Sequence, residues 1–247
     1  MIPSLHDRFL FFSKLAELVF FPSFCHICSA LLERPREKIV CRSCMASIRK
    51  PRFSFCSCCG RFFDYWGDPH LCAICSETSH PFSCHRSCGR YQGILKDIIL
   101  LYKYRKLRVL GRDLALVAHR ILGECEELWV GTEVVVPVPL HPKKKRQRGF
   151  NQAELIAREL AGIKGVSFAK DALEKIRMTP AQTSLVAEER KRNVRGVFRL
   201  HKKDKIAGKI VLLVDDVYTT GSTIRECSLV LRKGGAKEVR ALTLAQA

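Results

Sequence analysis

The chain has 247 residues, with 43 Lys+Arg against 24 Asp+Glu, 13 Cys and 47% apolar residues. That length allows one or two domains with a sizeable core, and that composition excludes a wholly disordered or collagen-like chain. The formal charge of +19 points to polyanionic partners: nucleic acid, anionic lipid or phosphorylated small molecules. The opening MIPSLHDRFLFF sets Asp7 and Arg8 ahead of its apolar patch and lacks a small-residue cleavage site, so no secretory signal is expected. The most apolar stretch, Leu15 to Leu32, is interrupted by Glu17, Pro22 and His26. A membrane span needs about 20 mostly apolar residues, so the chain is read as cytoplasmic and not membrane-embedded.

Eleven of the 13 cysteines fall before residue 90. Cys25, Cys28, Cys41 and Cys44 read C-x2-C-x12-C-x2-C, and Cys56, Cys59, Cys72 and Cys75 read the same, 31 residues later. Phe24 and Phe55 obey the same offset, which makes this an internal repeat. A C-x2-C turn aims two sulfurs at one point, and two such turns supply the four thiolates of a tetrahedral zinc site. Segments this short cannot bury a core, so the metal would supply the folding free energy. A disulfide framework is the alternative, and it requires an oxidising compartment. One or two zinc ions are expected, with sequential or interleaved pairing of the knuckles left open. With four sulfurs per ion no position remains for substrate, so the role is structural. Cys58, Cys84 and Cys88 are left over. Cys84 and Cys88 read as ordinary thiols, or as a metal pair helped by His85, while His26, His70 and His80 stand near sets already complete. Residues 1–89 are therefore assigned to an N-terminal helix and a double zinc ribbon.

Residues 90–247 form the second expected domain. Helical spacing runs over 91–122, a short strand over Val134–Val138, and a helix over Asn151–Ala161 with Asn151 as its N-cap. Ile210–Val214 is a continuous apolar run typical of a buried parallel strand. A helix follows over Thr223–Lys233, stopped by Gly234-Gly235, and then a strand over Val239–Leu244. Cys125 and Cys227 fall in helical patterns as small core residues. Alternating strands and helices argue for an open α/β architecture with a mostly parallel sheet flanked by helices, in which ligands bind beyond the carboxyl ends of strands.

At one such end the chain reads Ile210-Val-Leu-Leu-Val-Asp-Asp-Val-Tyr-Thr-Thr-Gly-Ser-Thr-Ile224. Thr219, Thr220, Gly221, Ser222 and Thr223 offer hydroxyls, free backbone N–H groups and the positive end of a helix, which together suit a phosphate. Asp215 and Asp216 can accept from vicinal sugar hydroxyls, directly or through Mg2+. Phosphate and diol one sugar apart describe a ribose 5-phosphate.

This segment resembles the phosphoribosyl-pyrophosphate (PRPP) motif of type I phosphoribosyltransferases. Val136-Pro-Val-Pro-Leu-His-Pro142, Arg146, Arg148-Gly-Phe-Asn-Gln152, Thr179-Pro-Ala-Gln-Thr-Ser-Leu185, Glu189-Arg190 and Arg192-Asn-Val-Arg-Gly-Val-Phe198 narrow the resemblance. With the cysteine-rich ribbon and Lys103-Tyr104, nearly the whole chain resembles the ComF family, competence proteins associated with DNA uptake in bacteria. The resemblance implies a type I phosphoribosyltransferase-like sheet, with a pyrophosphate loop after the first strand that carries Lys143, Lys144, Lys145, Arg146 and Arg148. It also implies a covering loop over 177–199 that brings in Gln182 and Thr183. Lys103, Arg146, Arg148, Gln182 and Arg190 are the expected pyrophosphate or backbone contacts, and Asp215 and Asp216 the expected catalytic pair.

Residues 143–205 hold 18 basic against 7 acidic residues. Lys143, Lys144, Lys145, Arg192 and Arg195 are the candidate nucleic-acid contacts. Phe150, Phe168 and Phe198 are few for base stacking, so single-stranded DNA binding would rest on charge and be salt-dependent. Two main readings compete. One is a ComF-like protein that takes single-stranded DNA and a PRPP-type ligand in natural transformation, with a competence helicase or other DNA-uptake proteins as partners. The other is a Mg2+-dependent phosphoribosyltransferase with an unidentified nitrogen acceptor. A third reading is a regulator that senses PRPP.

Overall fold

The computed structural model describes residues 23–32, 39–178 and 196–247. The chain divides into two compact units, residues 1–48 and 49–247. The cysteine repeat appears in both, down to single hydrogen bonds. In the first unit Phe24 bridges Leu31, Cys25 N donates to Ala30 O at 2.8 Å, and Ser29 N donates to Cys25 O at 2.9 Å. Cys41 then caps helix α1 (Arg42–Ser47), its sulfur accepting from Cys44 N. In the second unit Phe55 bridges Phe62, Cys56 N donates to Arg61 O at 2.8 Å, and Gly60 N donates to Cys56 O at 2.9 Å. Helix α2 (Ala73–Glu77) starts at Cys72. Ser29 and Gly60 occupy the same turn position, both with positive φ. Only at residue 60 must the side chain be absent, because a Cβ there would lie 2.3 Å from His85 O.

The second unit is built on a parallel sheet. In chain order its elements are β1 (His85–Ser87), α3 (Gly93–Tyr104), α4 (Leu110–Leu122), α5 (Glu126–Trp129), β2 (Val134–Pro137), α6 (Pro142–Arg148) and α7 (Gln152–Lys164). There follow β3 (Ser167–Phe168), β4 (Leu173–Lys175), β5 (Phe198–Leu200), β6 (Ile210–Tyr218), α8 (Ser222–Lys233) and β7 (Glu238–Gln246). Five strands run parallel in the order β1-β7-β6-β2-β3, while β4 and β5 form a separate antiparallel pair. Val211, Leu212, Leu213 and Val214 of β6 are fully buried, as a strand with neighbours on both sides and helices over the sheet requires. On one face Val134, Val136, Val211, Leu213, Val239 and Ala241 pack with Ile224, Cys227 and Leu231 of α8 and with Leu173 and Phe198 of the β4–β5 pair. Helix α7 lies on β2 and β6, and α4 packs on α7.

Strand register creates the site. β2 pairs with β6 only from Val134–Val211 to Pro137–Val214, whereas β6 stays paired with β7 as far as Tyr218–Gln246. The last bond of the β2–β6 ladder is Val138 N donating to Val214 O at 2.9 Å. Residues 215–218 therefore continue as strand with one edge open. The sequence pattern ended this strand at Val214, because the aspartates broke the apolar run. It also left 143–148 as a loop, whereas α6 is a helical turn with Pro142 in its first turn and His141 Nδ1 accepting from Lys143 N at 3.3 Å. Asn151 does cap α7, accepting from Ala153 N at 3.2 Å, and it also donates to Val138 O at 2.9 Å, which ties the helix to the end of β2.

The second ribbon is fastened to the sheet through β1. His85 is fully buried, and burial pushes its imidazole down to about 3, so it is neutral at pH 7. The Cys59 carbonyl can only accept, so Nδ1 donates to it at 2.8 Å, and Nε2 accepts from the Thr243 hydroxyl at 2.9 Å. The ring stacks on Tyr218 with centroids 4.2 Å apart. Arg86 donates to Ser57 O at 2.9 Å and pairs with Glu127. Replacing His85 with Leu removes two buried hydrogen bonds, to the Cys59 carbonyl and the Thr243 hydroxyl, and is expected to cost about 1–3 kcal/mol, read as a lowered midpoint in urea denaturation. An unchanged midpoint would show that these bonds do not hold the ribbon.

Candidate functional site

Successive residues of a strand face opposite sides, and Asp215 and Asp216 differ in their environments. Asp216 forms an ion pair with Lys103 of α3 at 2.8 Å, with both side chains 15% exposed. Burial alone would lower the Lys103 ammonium, but the Asp216 charge and hydrogen bond outweigh it and the lysine ends above its usual value. Asp215 Oδ1 accepts from Asp216 N at 2.9 Å. Burial first, and the Asp216 carboxylate second, push the Asp215 carboxyl up to about 7, against the pull of Lys103 and Lys175. Lys175 lies in β4, its ammonium 5.4 Å from the Phe198 ring centroid. Burial, with Lys144 adding to it, lowers that ammonium.

Beyond Tyr218 the chain turns through Thr219 and Thr220 into α8, whose N-cap is Gly221 at φ 74°. A Cβ at 221 would lie 2.2 Å from the Tyr218 hydroxyl oxygen, so only glycine fits against that ring. No side chain caps the helix, which leaves the backbone N–H groups of its first turn for a ligand. Thr220 Oγ1 and Ser222 Oγ are 2.8 Å apart, and Ser222 and Thr223 are the first two residues of the helix. Acid pair and hydroxyl turn therefore stand at the carboxyl end of the same strand.

The cations of α6 do not act alike. Arg148 donates to Gln152 Oε1 at 3.1 Å, lies 5.8 Å over the Tyr104 ring, and adds its charge to the field at Lys103 and Lys175. Lys144 is half-buried, and burial followed by Arg148 lowers its ammonium. Lys145 pairs with Glu154 at 3.0 Å, a carboxylate shared with Arg158 and Lys170. Lys143 and Arg146 are exposed. Gln182, Thr183, Arg190, Arg192 and Arg195 lie outside the described residues.

The eight repeat cysteines gather in sequence order as Cys25, Cys28, Cys41, Cys44 and as Cys56, Cys59, Cys72, Cys75. This settles the pairing of the knuckles as sequential. Within each group all sulfurs lie within 4.8 Å of one another, with Cys28–Cys41 at 3.6 Å and Cys59–Cys72 at 3.9 Å. Sulfurs on a tetrahedron with metal bonds of about 2.3 Å stand about 3.8 Å apart, and disulfide sulfurs about 2.0 Å apart. The residues fit a four-sulfur metal site. Cys25 is brought down to about 6 and Cys56 to about 7: burial raises both, and the N–H groups donating to each sulfur outweigh it. Their neighbours Cys44, Cys59 and Cys75 go up, by burial first and then mainly by facing other sulfurs. Four thiols crowded this way cannot all ionise without a cation. His80 Nε2 stands 3.3 Å from Cys75 Sγ, and Cys58 joins these two within 4.8 Å. Cys84 donates to Glu127 O, and Cys227 is a buried core thiol of α8.

The sequence reading passed over three things. Lys175, placed by a short strand with no strong pattern, lies within the field of Asp215. Glu154 gathers three cations. The second ribbon exposes an aromatic group: Phe53 is 41%, Tyr65 50% and Trp66 70% exposed. Phe63 stacks in parallel on Tyr65 and on His70, with centroids 5.3 and 4.4 Å apart, and the Arg90 guanidinium lies 5.0 Å from the Phe53 centroid. The aromatic run from Phe53 to Trp66 was visible as a signal, but it lies outside the most cationic segment.

With its carboxyl raised, folded Asp215 holds a proton that the unfolded chain releases between the ordinary carboxylate value and about 7. Stability therefore falls as pH rises through that window. Asp215→Asn is expected to raise Tm by about 2–4 °C at pH 8, the shift of roughly 1 kcal/mol in a chain of this size, and to lose that advantage at pH 5. Thermal melts at the two pH values check it, and an equal effect at both would show that the carboxyl is not raised.

Residues 146–247 match the family described as the phosphoribosyl transferase domain. Over 222 residues the chain is 30% identical to the DNA utilization protein YhgH of Salmonella typhi, covering 89% of this chain and 95% of that one. It is 28% identical to competence protein F of Haemophilus influenzae, covering 84% and 90%. APRTase of Giardia lamblia superposes with a TM-score of 0.40 at 18% identity, covering 57% of this chain and 71% of that one. No helix among the described residues is long and apolar enough to cross a membrane. On these grounds the chain belongs to the ComF family of competence and DNA-utilization proteins, with a phosphoribosyltransferase-type sheet and two cysteine ribbons.

Proposed function

We propose that the chain handles single-stranded DNA in DNA uptake and carries, at the carboxyl end of β6, a pocket for PRPP or a similar phosphoribosyl ligand. The observation that carries this reading is the adjacency of the half-buried Asp215–Asp216 pair to the uncapped start of α8. In this reading the α8 amides and the hydroxyls of Thr219, Thr220, Ser222 and Thr223 hold the 5-phosphate. Asp215 and Asp216 accept from the ring hydroxyls, and Lys103, Arg146 and Arg148 face the pyrophosphate. Mg2+ bound with the ligand would neutralise part of the diphosphate charge. The names of the relatives and the charge of +19 support the DNA part. The exposed Tyr65 and Trp66 add a stacking surface, and each stacked base contributes about 1–3 kcal/mol. Cytoplasmic helicase or DNA-uptake proteins are the partners proposed.

A second reading, phosphoryl-ribose transfer to a nitrogen acceptor, is favoured by the raised carboxyl of Asp215. A group that changes charge near neutrality is suited to answering positive charge that develops on a sugar.

Titrating one sample with PRPP and with a 12-nucleotide strand tests the first reading. PRPP binding is expected to need Mg2+ and to fall at least about tenfold in Asp216→Asn, as loss of a charged hydrogen-bond partner implies. Strand affinity is expected to fall with salt, the slope of log K against log salt dropping by about one per contact in Lys143→Ala and Arg148→Ala. Trp66→Ala should weaken the strand by about 1–3 kcal/mol at any salt concentration. Strand affinity unchanged across these variants would reject the DNA part, and failure to bind PRPP would reject the pocket.

We further propose zinc in both cysteine groups, structural because protein sulfur fills all four positions. Elemental analysis should find two zinc ions per chain, and Cys56→Ser with Cys59→Ser should remove one and lower the Tm of the sheet unit. A metal-free, disulfide-bonded chain would overturn this.

A further inference from the structure

The two ribbons repeat each other, yet the second carries two metal-ligating side chains that the first lacks. With the repeat offset applied, Cys58 stands where the first ribbon has Ile27, and His80 where it has Arg49. Both additions turn to the same sulfur. His80 Nε2 lies 3.3 Å from Cys75 Sγ, and the ligand atoms of Cys58, Cys75 and His80 all lie within 4.8 Å of one another. The first ribbon gathers its four sulfurs with neither residue present, so a four-sulfur site does not require them.

Three segments hold the trio in place. His85 N of β1 donates to Cys58 O at 2.8 Å, and Arg86 donates to Ser57 O at 2.9 Å. Cys75 is buried in α2. Arg225 of α8 donates to Ser79 O at 3.2 Å, next to His80, whose ring lies against Phe82 with centroids 4.9 Å apart. On one tetrahedral ion, with bonds of about 2.3 Å to sulfur and 2.0–2.1 Å to nitrogen, the two ligand atoms stand about 3.6 Å apart. Cys75 and His80 are close to that spacing. A hydrogen bond from His80 to Cys75 would account for this pair alone and leaves Cys58 unexplained. Cys58 and His80 are both half-buried, so an ion between them keeps a route to solvent. The His80 Nδ1 is buried without a partner. The ring therefore lacks the outer hydrogen bond that strengthens a metal-bound imidazole, which marks the site as exchangeable.

We propose that Cys58, Cys75 and His80 form a further metal site in the second ribbon, in which Cys75 bridges two ions and the trio holds an exchangeable thiophilic divalent ion. Charge favours the second ion. Four thiolates around one divalent ion leave two negative charges in excess among buried side chains, which is costly. Five thiolates around two divalent ions leave only one. Thiolate and imidazole select zinc-like ions over Mg2+ or Ca2+. The fourth position of the new site is open to solvent. With a shared sulfur and an open position, this ion is held less tightly than one in a four-sulfur group, so dialysis removes it and added metal restores it. The inference rests on the reading of the four-sulfur groups as zinc sites.

Titration of the full dialysed chain with Co2+, with zinc content measured before and after, tests it. One cobalt ion per chain is expected to bind while both zinc ions stay. It should show thiolate-to-cobalt charge-transfer bands in the near ultraviolet and the visible bands of a tetrahedral ion. Cys58→Ala and His80→Ala should each weaken cobalt at least about tenfold, since even the outer partner of a ligand is worth that much. Both variants should keep their two zinc ions. If zinc is present but no cobalt binds, if cobalt binds equally in both variants, or if cobalt enters only as zinc leaves, this inference falls and the zinc reading stands. If cobalt binding depends on Cys58 and His80 but the dialysed chain holds no zinc, the trio stands as a metal site and the zinc reading falls. If neither metal binds, both fall. Should His80→Ala shed zinc while the unaltered chain takes no cobalt, the histidine is a hydrogen-bond donor to Cys75 and the inference falls. Should Cys58→Ala fail to fold, His80→Ala and the cobalt spectrum of the unaltered chain still decide.

Discussion

The ion pair between Lys103 and Asp216 organises the end of the sheet. A central parallel strand outruns its β2 neighbour and carries two carboxylates into half-buried positions. Placing such charge there is costly unless cations answer it. Lys103 comes from the last turn of α3, so the pair fixes where that helix ends relative to β6. Asp215, on the other side of the strand, has no cation in direct contact among the described ion pairs, and its carboxyl rises accordingly. The result is an end of the sheet with one ion-paired carboxylate and one whose charge is suppressed by burial and by its neighbour. A pair of this kind adds little net stability. Its value is geometric, because it sets a distance and a charge at the carboxyl end of β6.

Sulfur clustering and sheet packing share the work of folding differently in the two units. Among the described residues of the first ribbon the buried apolar side chains besides cysteine are Leu32, Ile39, Val40 and Ile48, and a core that small leans on its four sulfurs. The second ribbon repeats the same turns but is also tied to the sheet by His85, Arg86 and Gln246. Its cysteines belong to one apolar cluster with Val239, Ala241 and α8. The glycine at position 60, where the first repeat has Ser29, marks this difference, since only the second turn has a strand backbone pressed against it.

Much of this was legible in the sequence. The repeat, the sulfur groups, the long apolar strand, the Asn151 cap and the hydroxyl turn all rest on strong local signals, and each appears as read. The misses have physical reasons. β1 lies within the cysteine-rich stretch, where His85, Arg86 and Ser87 give no apolar alternation because their side chains are buried by hydrogen bonding. β3 and β4 are too short for a period to register. β6 extended past its apolar run because β7 continued beside it, a tertiary effect that overrides composition. The α6 turn hid behind a lysine run that reads equally well as a solvated loop.

Parallel pairing of β1 with β7 has a consequence for biosynthesis. His85 bonds Thr243 across 158 positions, so the edge strand leaves the ribosome long before β7, its sheet partner among the described residues, exists. Loop closure over such a span is slow, and an unpaired strand edge invites association with other chains. A thiolate cluster next to that strand can fold as soon as its four sulfurs have emerged and keep the adjacent backbone compact in the meantime. On the proposed zinc reading, metal supply during translation would then govern the yield of correctly assembled chain as well as its final stability.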